Sequence, residues 1–68
     1  MSVYTAYNEA FADAAAQAIK YQRPMGIEKA VEYGHTVYRV KMVPIDPAKR
    51  FGWETRCEIV TLEQARMK

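Results

Sequence analysis

Apolar positions near the start of the chain recur at helical spacing. At about 100° per residue, Tyr4, Tyr7, Phe11, Ala14, Ala15, Ala18, Ile19 and Tyr21 share one arc. The pattern predicts a helix over residues 4–21. Six alanines between Ala10 and Ala18 raise its propensity. Ser2 is the expected N-cap, because its hydroxyl can accept from a free backbone N–H. Glu9 and Asp13 come early and Lys20 late, as the macrodipole favours. Pro24 stops the helix by pushing its predecessor out of the α region. Within the arc, Ala10, Ala14 and Ala18 form a row of small side chains at i, i+4, i+8. Such a row lets another backbone approach closely. It serves either packing on the chain's own sheet or a helix–helix dimer seam between two copies.

Residues 26–44 alternate. Gly34-His35 fits a two-residue type II′ turn, with Gly first. That register sets Val31 opposite Tyr38, Lys29 opposite Val40 and Glu28 opposite Lys41. One face carries Ile27, Val31, Tyr33, Tyr38, Val40 and Met42; the other carries Glu28, Glu32, Arg39 and Lys41, which can pair across strands. Lys29 is the inward misfit. Residues 27–33 also fit a two-turn helix ending on Gly34 at C′.

Residues 44–52 form a loop opened by Asp46-Pro47. Residues 53–60 then alternate strictly: Trp53, Thr55, Cys57 and Ile59 against Glu54, Arg56, Glu58 and Val60. That alternation predicts a strand, with Cys57 facing the core. Thr61 and Gln64 fit a capping box that starts a short C-terminal helix. The expected fold is α+β. An N-terminal helix packs on a three-stranded antiparallel sheet, with a short C-terminal helical segment, in a single small domain over residues 1–68.

Composition sharpens this picture. The chain has 68 residues, too few for a large enzyme scaffold such as a (β/α)8 barrel. One Cys excludes an internal disulfide. Ten of the apolar residues are Ala and Leu62 is the only leucine, so the aromatics and methionines must fill much of the core. A core that thin favours self-association, and a homodimer is the expected state. No apolar run spans a membrane, and the N-terminus lacks the pattern of a signal peptide. A lone Cys fits a reducing compartment, so the expected location is cytoplasmic.

Candidate chemistry is sparse. His35 is the only histidine and falls at a predicted turn; Cys57 reads as a small buried hydrophobe. No metal, cofactor or catalytic residue is expected. The net charge of +2 is spread among interleaved acids, unlike a phosphate-tracking surface. One stretch stands out: Lys49, Arg50, Phe51, Gly52 and Trp53 set two cations and two aromatics around a glycine. Arg and Trp are enriched at interface hot spots. Lys49, Arg50, Phe51 and Trp53 are therefore candidate partner-binding residues; otherwise Phe51 and Trp53 close the core. The expected function is a small non-catalytic protein-binding regulator or inhibitor, a type common among accessory products of phages and mobile elements. The alternatives are a basic nucleic-acid-binding regulator and an accessory subunit completing another enzyme's site.

Overall fold

The structure, a computed structural model, describes residues 2–67. Strand β1 (Ser2–Tyr4) leads into helix α1 (Tyr7–Tyr21), then strands β2 (Met25–Glu32) and β3 (His35–Met42). A 3-10 turn (Pro47–Arg50) and a one-turn helix α2 (Trp53–Arg56) precede strand β4 (Cys57–Val60) and helix α3 (Leu62–Arg66). The sheet runs in the order β1-β3-β2-β4, and every pairing is antiparallel. The expected α+β architecture holds, with four strands rather than three.

The extra strand comes from residues assigned to the first helical turn. Ser2, Val3 and Tyr4 pair with Val40, Arg39 and Tyr38 along the outer side of β3. Valine and tyrosine suit a strand, and pairing satisfies an edge that would otherwise be bare. Ser2 is therefore not the helix cap. Ala6 holds that position in an extended conformation, without a side-chain cap. At the other end, Gln22 adopts a left-handed conformation and the Arg23 N–H donates to the Ala18 carbonyl. The helix closes there, two residues before Pro24.

Residues 25–42 are a hairpin and not a short helix. Its turn residues are Tyr33 and Gly34, with φ of 52° and 79°. Two positive φ values in succession mark a type I′ turn, in place of the expected type II′ turn at Gly34-His35. The register is slid by two residues: Ile27 faces Val40, Glu28 faces Arg39 and Lys29 faces Tyr38. An even slip keeps the side chains within the strands on their expected faces, while Tyr33 moves into the turn and is exposed. It also pairs Ile27 with Val40 in the core, where the expected register would have set Lys29.

The core lies between α1 and one sheet face. Ala10, Ala14, Ala15, Ala18, Met25, Ile27, Val40, Val60 and Ala65 form it, flanked by Tyr4, Phe11 and Tyr38. Ala10, Ala14 and Ala18 are fully buried inside the chain. Their small side chains bring α1 close to its own sheet, so this row is not a dimer seam. Helix α3 packs on α1 and adds Ala65 to the core. Its capping box is complete: the Gln64 N–H donates to Thr61 Oγ1 at 3.1 Å, and the Thr61 N–H to Gln64 Oε1 at 3.0 Å.

The opposite sheet face holds two different environments. Near the hairpin's middle, Lys41 Nζ reaches Glu28 Oε1 at 2.8 Å, and Arg39 bridges Glu28 and Glu32. This is the expected charge lattice, and Lys41 bonding to Glu28 holds that carboxyl below its ordinary range. Nearer the open end, Val43 and Cys57 are buried around Gly26. A Cβ on Gly26 would lie 2.8 Å from Val43 Cγ1 and 3.3 Å from Cys57 Cβ. Glycine is what lets the two side chains close over the strand.

Candidate functional site

Residues 53–60 do not form one strand. Gly52, at φ 87°, turns the chain into α2, and only Cys57–Val60 extends. Thr55 Oγ1 donates to the Gly52 carbonyl at 2.7 Å, which holds the turn. The helical turn shifts the phase of β4. Val60, not Cys57, enters the core under α1. Cys57 is buried on the opposite face, and burial pushes its thiol up from the ordinary value. A thiol kept protonated in this way is a poor nucleophile.

The loop ahead of α2 is held at several points. Asp46 Oδ1 accepts from the Ala48 N–H at 3.0 Å, and Pro47 occupies the first position of the 3-10 turn. The Lys49 N–H donates to the Asp46 carbonyl at 2.9 Å. Arg50 Nη2 reaches back to the Ile45 carbonyl at 3.2 Å. Phe51, the next residue, is 91% exposed. Lys49 is exposed beside it, and Arg50 is half-buried.

Trp53 behaves differently. It is half-buried, and its ring lies 5.4 Å from the Arg56 guanidinium carbon. It lines an apolar hollow with Gln17, Met25, Val40, Lys41 and Met42. The four candidate binding residues are thus divided. Lys49, Arg50 and Phe51 form the presented tip, while Trp53 turns back to the body.

A second group of residues meets beside this loop. Arg23 Nη2 donates to the Val43 carbonyl at 2.6 Å. Arg66 Nη2 reaches Gln22 Oε1 at 3.3 Å, next to Arg23. Lys20, in the last turn of α1, is outside this group, its Nζ 5.3 Å from the centre of the Tyr21 ring. Ile45, whose carbonyl anchors Arg50, is 60% exposed. Sequence reading missed this assembly, because its members come from α1, the loop and α3. Only the C-terminal bias of basic residues on both helices hinted at it.

A cleft at the other end of β4 is lined by Tyr7, Ile27, Lys29, Tyr38 and residues 54–58. Across it, the Tyr7 hydroxyl donates to Glu58 Oε2 at 2.5 Å. Partial burial, then that bond to a carboxylate, push the phenol up to about 12. His35 is exposed at the start of β3. Among the described residues no group of three or more His, Cys, Asp or Glu could hold a metal ion, and no helix is long and apolar enough to cross a membrane. The chain matches no family model, and no curated protein or solved structure proved similar to it.

Proposed function

We propose that this chain is a non-catalytic protein-binding regulator or inhibitor that docks through the tip formed by Lys49, Arg50 and Phe51. The carrying observation is Phe51. A phenylalanine 91% exposed at the end of a loop held by Asp46 and Arg50 is an apolar group set out on a braced support. Bracing limits the entropy lost on docking.

The proposal includes a cytoplasmic setting, of the kind in which accessory proteins of mobile elements act. It also includes self-association. Among the described residues, the largest fully buried side chains are Met25, Val43 and Val60, so assembly would add apolar burial that one copy lacks. With α1 committed to its own sheet, the outer edges of β1 and β4 are the backbone surfaces left for it.

Phe51→Ala tests the docking tip. Binding to a partner captured by the wild-type protein should weaken by about 1–3 kcal/mol. The melting temperature should move little, as for other exposed sites. Unchanged affinity in the folded variant removes the tip from the interface. Sedimentation equilibrium across the micromolar range tests self-association, and a single 7.8 kDa species would refute it.

A further inference from the structure

We infer that the partner of the docking tip is an acidic protein segment with interspersed apolar side chains, received on a surface that runs from Arg50 and Phe51 across Ile45 to Arg23 and Arg66. The inference rests on the docking role just proposed and adds the chemistry of the docked segment.

Backbone contacts fix the layout. Arg23 and Arg50 each hold a main-chain oxygen, Val43 and Ile45, at 2.6 and 3.2 Å. Two residues of chain span at most about 7 Å, so the two guanidinium groups lie within roughly 13 Å of each other. Arg66 sits against Gln22, the neighbour of Arg23. Among the described residues, Arg23, Arg50 and Arg66 have no carboxylate partner, whereas Arg39 and Lys41 are neutralised by Glu28 and Glu32. Lys49 adds a fourth cation beside Phe51; Lys20, Lys29 and Arg56 also lack a carboxylate partner among the described residues. Two acids adjoin this stretch: Asp46, whose side chain accepts from the Ala48 N–H, and Glu54, which lines a hollow with Arg50 and Phe51. Glu63 is the acid of α3, in that helix's first turn, whereas Arg66 is in its last.

The apolar members decide what kind of anion fits. Ile45 is 60% exposed and Phe51 91% exposed, both set among the cations. A phosphate backbone offers nothing to an isoleucine, whereas a protein segment with alternating carboxylates and large apolar groups satisfies both. Arginine guanidinium groups already anchored through one N–H also lose less freedom when they take a carboxylate on another.

The test uses the wild-type protein and a fluorescent peptide in which Glu alternates with Leu and Phe. Its counterparts carry Gln or Lys in place of Glu, and a mixed-sequence DNA duplex is the competing ligand. The Glu peptide should bind about tenfold more tightly than the Gln peptide, and more weakly as salt rises. The Lys peptide should not bind. Amide shift changes should fall at Gln22, Arg23, Ile45 and Phe51. Arg66→Glu, in a variant whose fold is checked by the same spectra, should reduce the preference for Glu over Gln. Equal binding of the Glu and Gln peptides overturns the inference. So do absence of peptide binding, tighter binding of the duplex, or shift changes confined elsewhere. If native-partner binding still responds to Phe51→Ala after such a result, the docking role stands and only the acidic partner falls.

Discussion

Tyr7 and Glu58 stand 51 positions apart in sequence and are joined by a 2.5 Å hydrogen bond. The bond ties the first turn of α1 to β4, the last strand of the sheet. Tyr7 also meets Tyr38 edge-on, with ring centroids 5.7 Å apart, and Phe11 at 6.1 Å. Tyr7→Phe keeps the rings and loses the bond, so it should cost about 1 kcal/mol in urea unfolding. Tyr7→Ala loses the ring contacts as well and should cost more.

The same pair gives a pH dependence. Folding raises the phenol from its ordinary 10 to about 12. A raised value means that the folded state favours the protonated form. The stabilisation is whole below pH 10 and is lost as pH rises from 10 towards 12. Tyr7→Phe should therefore show a shallower alkaline loss of stability than wild type. Identical alkaline limbs would show that the bond is absent in solution.

Glu28 should act at the acid end. Lys41, and Arg39 after it, hold its carboxyl below the ordinary 4.5. Stability from this lattice is present above that value and is lost as pH falls below it. The groups are partly exposed, so the loss should stay under about 1 kcal/mol. Glu28→Gln should flatten the acid limb of a stability–pH curve and leave the neutral plateau slightly lowered.

Gly26 should tolerate no side chain. An alanine Cβ would meet Val43 Cγ1 at 2.8 Å, and Val43 is fully buried. Overpacking of this kind costs about 1–3 kcal/mol. Gly26→Ala should lower the melting temperature, and adding Val43→Ala should recover part of the loss. No recovery would mean that the strain lies with Cys57.

Tyr33 offers the opposite sign. It is 99% exposed and holds a left-handed φ of 52°. For a non-glycine residue that conformation costs about 1–2 kcal/mol. Asn at the first position of a type I′ turn is favoured. Tyr33→Asn should raise the melting temperature by several degrees, about 4–8 °C for each kcal/mol regained in a domain of this size. An unchanged or lowered melting temperature would refute it.

Local patterns predicted local structure here, and long-range partners changed it. The helix over Tyr7–Tyr21, the hairpin and the Thr61–Gln64 box depend on neighbours within a few residues and are present, but Ile19 and Tyr21 of the expected arc and Val31 of the expected hairpin face are exposed. Ser2–Tyr4 became a strand because β3, more than 30 positions away, offered an edge. The hairpin register depended on whether Gly34 stood first or second in the turn, which one glycine leaves open. Strict alternation after Gly52 concealed a helical turn. Four residues do not separate period 2 from period 3.6 when the turn is held by Thr55 bonding to a main-chain oxygen. The tip was legible as a cluster of types; the arginines beside it were not, since folding alone brings α1, the loop and α3 together.

Burial on both sheet faces around Gly26 has a kinetic side. At that end α1 covers one face, and Val43 with Cys57 closes the other; beyond Glu28, Val31 is 70% exposed and the turn is bare. Local opening should track this gradient, because amide exchange is slowest where burial is two-sided. Deuterium should enter residues 30–37 first and reach Met25, Ile27 and Val40 only through global unfolding. The loop that carries Phe51 leaves the sheet at its slow-exchanging end, so the hairpin can fray and re-form without moving the docking tip.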